Sequence, residues 1–165
     1  NYICLGQFDN EDNPRAHYET TGPEILKEVK DVSFIVAGIG SGGTIVGAGK
    51  FLKEKNKEIK VIGIEPKSSP LITENKSGPH KIQGIGANFI PKIYDKDIVD
   101  KVITVSDEDS YETVRLIANK LGILIGISSG ANISGAMKLS DENPDKIIVT
   151  VAPDGVDKYM SMGIF

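Results

Sequence analysis

The chain has 165 residues, 39% of them hydrophobic and 25% charged, which is the composition of one folded domain and excludes a disordered chain. Its 19 basic and 23 acidic residues give a net charge of −4 without any basic block, which argues against a nucleic-acid or anionic-membrane surface. A single cysteine excludes an internal disulfide and favours a cytoplasmic protein, and no apolar run approaches the roughly 20 residues that span a bilayer.

The chain opens without a methionine on an apolar run, residues 2–5, where we expect a strand with Cys4 packed in the core. Because a domain rarely starts so abruptly, we expect the chain to be part of a longer one. A first helix is predicted at Thr20, since Pro23 falls near its first helical position and Glu24 in its first turn.

Apolar runs then alternate with helical patterns. Strands are predicted at residues 34–37, 61–64, 102–105, 123–125 and 147–151. Helices are predicted at 45–55, from Ser106 through 120, and at 132–139. Ser106, three residues before Asp109, predicts a capped start for the middle helix. Uniformly apolar strands joined by helices predict an α/β fold: a doubly wound, mostly parallel sheet covered on both faces.

Residues 77–92 interrupt this alternation with several glycines and prolines and no helical or strand period. A long irregular segment in such a domain is typical of a functional loop or an inter-domain contact, and a passive surface loop is the alternative.

The run Gly-Ile-Gly-Ser-Gly-Gly-Thr at residues 38–44 lies between a strand and a helix. Glycines allow the backbone to approach a ligand closely, and the free N–H groups of a helix start hold an anion, so we predict an anion site here. Gly38, Gly40 and Gly43 also fit a dinucleotide-binding fingerprint, with Glu65 after the next strand as the ribose-binding acid. Glu65 has a simpler interpretation as a solvent-facing acid at a strand end, so an NAD-binding domain stays an alternative.

Three segments together resemble one known family: the glycine run at 38–44, Lys-Ile-Gln-Gly-Ile-Gly-Ala at 81–87, and Gly-Ile-Ser-Ser-Gly-Ala at 126–131. They resemble the cysteine synthase (O-acetylserine sulfhydrylase) and cystathionine β-synthase family, and the match extends from Gln7 to Ser161. The resemblance implies a pyridoxal-phosphate enzyme of fold type II, with the tryptophan-synthase-β-like fold. Residues 1–165 would be the C-terminal portion of its large domain.

The resemblance also implies roles for individual residues. The cofactor phosphate would be held by Gly40, Ser41, Gly42, Gly43 and Thr44. Ser128 would hydrogen-bond the pyridine nitrogen, although it is also placed to cap a helix before Asn132. Gln7 would help to bind the substrate carboxylate, and Gly84 would lie beside the substrate amino group.

No catalytic residue is expected in this chain, because the Schiff-base lysine of the family belongs upstream, in the N-terminal half. Lys50, Lys53, Lys55 and Lys57 fit no family motif and are interpreted as a solvated helix face. His17 and His80 lack a ligand pattern, so we expect no metal site.

The function implied by the resemblance is β-replacement on O-acetylserine, or a related β-substituted alanine, with sulfide to give cysteine. Asn88 stands where the family usually has glycine, and a side chain there would contact the substrate. This keeps open a sulfide-releasing reaction of cysteine that forms serine, lanthionine or cystathionine. The resemblance further implies a homodimer whose ligands are an amino acid and a thiol or sulfide.

Overall fold

The computed structural model describes residues 2–164, in which strands and helices alternate. The strands are β1 (Val32–Gly38), β2 (Lys60–Pro66), β3 (Lys101–Val105) and β4 (Ile147–Thr150). The helices are α1 (Asp12–Glu19), α2 (Thr21–Glu28), α3 (Gly43–Lys55), α4 (Leu71–Glu74), α5 (Asp107–Leu121) and α6 (Ile127–Glu142), followed by a 3₁₀ helix (Val156–Met162). None of the helices described is long and apolar enough to cross a membrane.

The four strands form one parallel sheet in the order β3-β2-β1-β4. The chain therefore adds β2 and β3 on one side of β1 and later returns to add β4 on the other side. Connections that leave β1 in opposite directions open a crevice at the carboxyl edge of the sheet, where α/β proteins bind their ligands. The predicted parallel α/β fold is confirmed.

Two apolar layers cover the two faces of the sheet. Ile35 points toward α3 and packs in a cluster with Ile45 and Leu52, whereas its neighbour Val36 belongs to the cluster under α6 that contains Ile127. This alternation follows from the opposite directions of successive strand side chains. All five residues are fully buried, and helices on both faces make the sheet doubly wound.

The observed starts of the helices agree only in part with the starts predicted from the sequence. The Ser106 hydroxyl accepts a hydrogen bond from the backbone N–H of Asp109 at 3.0 Å, so the predicted cap of α5 is confirmed. Helix α2 starts at Thr21, which makes Pro23 its third residue and not its first. Helix α6 starts at Ile127, well before the predicted residue 132, so Ser128 lies in its first turn and does not cap it.

Two predicted strands are wrong. Residues 2–5 form no strand, and Cys4 is exposed and not part of the core. In the run 123–125, Ile123 and Leu124 are more than half exposed, and Ile125 makes one isolated antiparallel bridge with Gly155. An apolar run becomes a strand only where neighbouring strands satisfy its backbone groups, and these two runs have no such ladder among the described residues.

Helix α1 was not predicted, and it packs closely on α3. A side chain at Gly47 would overlap the carbonyl oxygen of Pro14, so the absence of a Cβ permits this approach. Lys53 was expected on a solvated face, but its ammonium donates to the carbonyl of Ile98 at 2.7 Å and pairs with Asp100 at 2.9 Å. The predicted irregular segment at 77–92 contains no helix or strand, as expected.

Candidate functional site

A cavity of about 380 Å³ opens at the carboxyl end of β1, in the crevice that the strand order creates. This volume is in the range of small-molecule sites. Its walls come from five places in the sequence: the junction of α1 and α2, the end of β1 with the loop into α3, the segment at residues 84–85, the first turns of α6, and the chain after β4. The lining residues of these walls are His17, Thr21, Ala37, Gly38, Gly40, Ser41, Gly42, Gly43, Thr44, Gly84, Ile85, Ser128, Asn132, Val151 and Pro153.

The glycine loop forms the floor of this cavity and fits an anion. Gly42 precedes α3 with φ +90°, a conformation that favours glycine, and as the N-cap residue it has no side chain to cap the helix. Among the described residues, the one side-chain contact at this start is a long 3.4 Å bond from the Gly43 N–H to the Ser41 hydroxyl. A Cβ at Gly40 would overlap the carbonyl oxygen of Gly84, and one at Gly43 would overlap the side chain of Asn13. Uncapped N–H groups at a helix start, reached over a bare backbone, are the features that bind phosphate.

Asn13, on α1, braces this loop from outside the cavity. Its Nδ2 donates to the Ser41 hydroxyl at 2.9 Å and to the backbone carbonyl of Gln7 at 2.7 Å. The loop is therefore tied to the segment that carries Gln7. Gln7 itself is exposed and does not line the cavity, so the structure brings its backbone near the site but not its side chain.

His17 lies beside the glycine loop, a position that the sequence analysis missed. Its Nδ1 is 2.9 Å from the Thr21 hydroxyl and its Nε2 is 3.1 Å from the Thr44 hydroxyl, and all three residues line the cavity. Burial lowers the pKa of His17 below its usual value. No local pattern could have found this contact, because Thr44 is 27 residues away in sequence.

Ser128 and Asn132 form the opposite polar wall, one turn apart on α6. Ser128 is 4% exposed and Asn132 is 2% exposed. The Asn132 Nδ2 donates to the carbonyl of Val151 at 2.9 Å, which turns Oδ1 the other way, and this buried Oδ1 has no hydrogen-bond partner among the described residues. A buried acceptor without a donor is costly unless a ligand or water supplies one. The spacing of four from Ser128 was the signal that could have identified Asn132.

Gly84 and Asn88 belong to the irregular segment but have different surroundings. Gly84 lines the cavity with φ +95°. Asn88 also has a left-handed backbone, with φ +59°, but its Oδ1 accepts from the Ser69 hydroxyl at 2.8 Å. It lines a smaller neighbouring pocket, so the structure does not bring Asn88 into the main cavity.

Glu65 lies at the carboxyl end of β2, and both of its carboxylate oxygens accept hydrogen bonds from the chain itself. It is 3% exposed, and its carboxylate accepts from the backbone N–H groups of Ile72 at 2.9 Å and Thr73 at 3.0 Å and from the Thr73 hydroxyl. Both sequence interpretations of Glu65 are therefore wrong. It does not face solvent, and its oxygens satisfy the start of α4 and are not available to a ribose.

The first turn of α6 is held by the chain after β4. The Gly126 N–H and the Ser129 hydroxyl both donate to the backbone carbonyl of Asp154, at 2.9 and 3.3 Å. The Tyr159 hydroxyl donates to the Asp154 carboxylate at 2.6 Å, and burial together with this carboxylate raises the pKa of Tyr159 to about 12. Tyr159 therefore stays protonated and fixes the segment against which Ser128 is positioned.

This cavity has a phosphate-type cradle at one end, hydroxyl and amide groups at the other end, and apolar walls between them. These features fit pyridoxal phosphate, the cofactor that the sequence resemblance implies. Ile85 and Val151 supply apolar walls between the cradle and the α6 wall. The orphaned Asn132 Oδ1 and the bare glycine floor are the two observations that carry this fit.

Comparisons with known proteins agree with it. The family model for pyridoxal-phosphate dependent enzymes matches residues 1–154. Cysteine synthase B of Campylobacter jejuni is 46% identical over 166 residues, covering 100% of this chain and 55% of that protein. A cysteine synthase structure from Entamoeba histolytica has a TM-score of 0.95 and 39% identity, covering 99% of this chain and 49% of that one.

A hydrogen sulfide-producing enzyme from Fusobacterium nucleatum is also similar, with a TM-score of 0.93 and 43% identity over 96% of this chain and 55% of that one. The chain thus spans about half the length of the relatives that it matches. A family model that matches residues 1–154, together with these structures, excludes the dinucleotide-binding alternative. The chain belongs to the family of pyridoxal-phosphate dependent enzymes.

Proposed function

We propose that the cavity is the larger part of a pyridoxal-phosphate site. Residues 40–44 hold the phosphate, and Ser128 donates to the pyridine nitrogen. The uncapped start of α3 and the glycine floor support the first role, and the inward position of Ser128 supports the second. A neutral hydroxyl at the ring nitrogen favours β-elimination and replacement over transamination.

We propose further that the protein containing this chain is a cysteine synthase, which replaces the β-substituent of O-acetylserine with sulfide. The observation that carries this proposal is the glycine-floored cavity, in a chain 46% identical to a cysteine synthase. When bound, pyridoxal phosphate supplies an electron sink for the carbanion formed at the substrate α-carbon.

The residues of this chain bind and orient in that reaction. Gly84 presents backbone beside the substrate amino group, and the segment of Gln7 contributes to the carboxylate site, since Asn13 ties it to the phosphate loop. No lysine is among the described residues that line the cavity, which supports a Schiff-base lysine in an N-terminal half outside residues 1–165. Residues 1–165 would then be the C-terminal part of the large domain.

The experiment is a substrate panel on the full-length protein. We expect bound pyridoxal phosphate, seen by its visible absorbance, and cysteine formation from O-acetylserine and sulfide at a higher kcat/KM than any reaction of serine or homocysteine. Absence of the bound cofactor would reject the site assignment. A bound cofactor with no cysteine formed would reject the substrate assignment only.

A second candidate is release of sulfide from cysteine, with serine, lanthionine or cystathionine as product. It is favoured by the similarity to a hydrogen sulfide-producing enzyme, and Asn88, which lines the smaller pocket beside the main cavity, would influence it through the segment that carries Gly84. Replacement of Asn88 by glycine in the full-length protein tests it. We expect the rate with cysteine to fall relative to that with O-acetylserine, and an unchanged ratio would remove Asn88 from substrate choice.

We also propose a cytoplasmic homodimer. The proposal is supported by the lone, exposed Cys4, which suits a reducing compartment, and by the family resemblance. Size-exclusion chromatography with light scattering on the full-length protein measures the oligomeric state.

A further inference from the structure

We propose that His17 is a positioning residue for the anion cradle: together with Thr21 it sets the direction of the Thr44 hydroxyl, so that this hydroxyl donates into the cavity. The proposal deepens the proposed function and rests on it only for the identity of the anion. His17 does not replace a cradle residue but acts through one.

The geometry joins three helices at one point. His17 lies near the end of α1, Thr21 is the first residue of α2, and Thr44 is in the first turn of α3. The imidazole bridges the two hydroxyls, with 2.9 Å from Nδ1 to Thr21 and 3.1 Å from Nε2 to Thr44. A Cβ at Gly47 of α3 would also come within 2.9 Å of the His17 Cβ, so the helices are packed closely here and the ring has little freedom.

A neutral imidazole has one N–H donor and one bare nitrogen, so the bridge has two possible directions. If Nδ1 carries the proton, it donates to Thr21, and Thr44 must donate its hydroxyl proton to Nε2. If Nε2 carries the proton, it donates to Thr44, and Thr21 donates to Nδ1. Only the second arrangement leaves the Thr44 proton free for an anion in the cavity.

Thr21 completes this arrangement. Its hydroxyl can either donate to Nδ1 or accept from it, so it supports the tautomer that serves Thr44, and an anion that accepts the Thr44 proton selects that tautomer. The ring is half-buried, and burial disfavours its charged form. The chain of donors runs from Thr21 to His17, from His17 to Thr44, and from Thr44 to the anion. Aligned hydrogen bonds of this kind polarise one another and hold the last donor in place.

The first test reads the tautomer directly in the full-length protein. Nitrogen-15 NMR of the histidine ring distinguishes the protonated nitrogen from the bare one. With pyridoxal phosphate bound, and with inorganic phosphate as a second probe, we expect a proton on Nε2 and none on Nδ1. A proton on Nδ1 alone in the bound protein would overturn the proposal.

The second test is a double-mutant cycle of His17→Leu and Thr44→Val, read as the dissociation constants of pyridoxal phosphate and of pyridoxal, which lacks the phosphate. We expect each single change to weaken pyridoxal phosphate binding about 10-fold and the double change to weaken it little further, since both remove the same hydrogen bond. Pyridoxal binding should change less than about 2-fold. His17→Gln keeps an N–H that can reach Thr44 and should restore most of the affinity.

A merely structural role gives a different pattern. Equal losses for pyridoxal and pyridoxal phosphate, or effects of His17→Leu and Thr44→Val that add fully, would overturn the positioning role. If the unmodified protein binds inorganic phosphate but not pyridoxal phosphate, the proposed function fails, and the same variants titrated with phosphate still decide the role of His17. If it binds neither, both proposals fail.

Discussion

The ends of β1 and β2 lie side by side at the carboxyl edge of the sheet, and both are followed by polar residues. After β1, the fold leaves polar groups with few partners: the N-cap residue of α3 is a glycine without a capping side chain, and the buried Asn132 Oδ1 has no donor among the described residues. After β2, Glu65 is surrounded by donors from its own chain. The difference teaches that a polar residue at a strand end is free for function only where local structure has not already used its hydrogen bonds.

The largest expected effect is at the β1 end, from Gly40→Ala. The added Cβ would overlap the backbone carbonyl of Gly84, so the cradle or the opposite wall must move. We expect pyridoxal phosphate affinity of the full-length protein to fall at least about 100-fold, or about 2.7 kcal/mol. Cofactor titration measures it. Gly122→Asn is the control, because Gly122 has open space around it and asparagine tolerates its left-handed backbone, with φ +69°. Retained affinity in Gly40→Ala would mean that the glycine floor does not hold the cofactor.

The β2 end should give the opposite pattern. Glu65→Gln places an amide NH₂ against either the Ile72 N–H or the two donors of Thr73, and we expect the free energy of unfolding to fall by about 2–3 kcal/mol with cofactor affinity unchanged. Denaturant unfolding and cofactor titration measure the two quantities. The exposed Glu58→Gln serves as the matched control. A cofactor affinity lowered 10-fold or more would contradict the structural role of Glu65.

Two neighbouring serines repeat the contrast within one helix turn. Ser128 faces the cavity, and Ser129 donates to the Asp154 carbonyl. We expect Ser128→Ala to shift the cofactor absorbance and weaken binding about 5- to 10-fold, with little effect on stability. Ser129→Ala should lower stability by about 1 kcal/mol, with a smaller effect on binding. Interchanged effects would place the wrong serine at the ring nitrogen.

The smallest effect is expected at the amino ends of the strands, where Asp100 directly precedes β3. Burial opposes ionisation of Asp100, but hydrogen bonds from the Val61 N–H and the Lys53 ammonium outweigh it and hold the pKa of Asp100 below its usual value. The carboxylate therefore stabilises the fold above its unfolded pKa of about 3.9, and this stability is lost as pH falls through the folded pKa.

Asp100→Asn should accordingly lower stability by about 1 kcal/mol at pH 7, and the difference from the parent should shrink as the pH falls below about 4. Urea unfolding at several pH values measures it, with Asp97→Asn on the exposed loop as the control. A difference independent of pH would mean that the ion pair contributes nothing.

Much of the fold could be predicted from the sequence because its strands are short, mostly apolar runs separated by helix-length segments, and helices α3 and α5 carry clear start signals. Helix α1 could not, since its sequence is polar and its stability comes from packing on Gly47 of α3. The run at 123–125 has strand composition, but composition does not reveal whether a neighbouring strand is present to pair with it.

The candidate site divides in the same way. The glycine loop and Ser128 could be predicted because their chemistry is local in sequence. His17 could not, because its role arises only when separate helices meet at the cavity. Asn132 carried a local signal, its spacing of four from Ser128, but its contact with Val151 depends on how α6 packs beside β4. Glu65 shows the converse failure, since nothing in its local pattern revealed that α4 would take up both carboxylate oxygens.

The left-handed backbone at Asn88 restricts which side chains this position accommodates without strain. At φ +59°, β-branched and bulky side chains are strained by about 1–2 kcal/mol, whereas glycine, asparagine and aspartate are tolerated. Glycine, asparagine and aspartate therefore fit this position best. Glycine would lose the acceptor of the Ser69 hydroxyl, whereas aspartate would keep an acceptor and add a negative charge in the smaller pocket beside the main cavity.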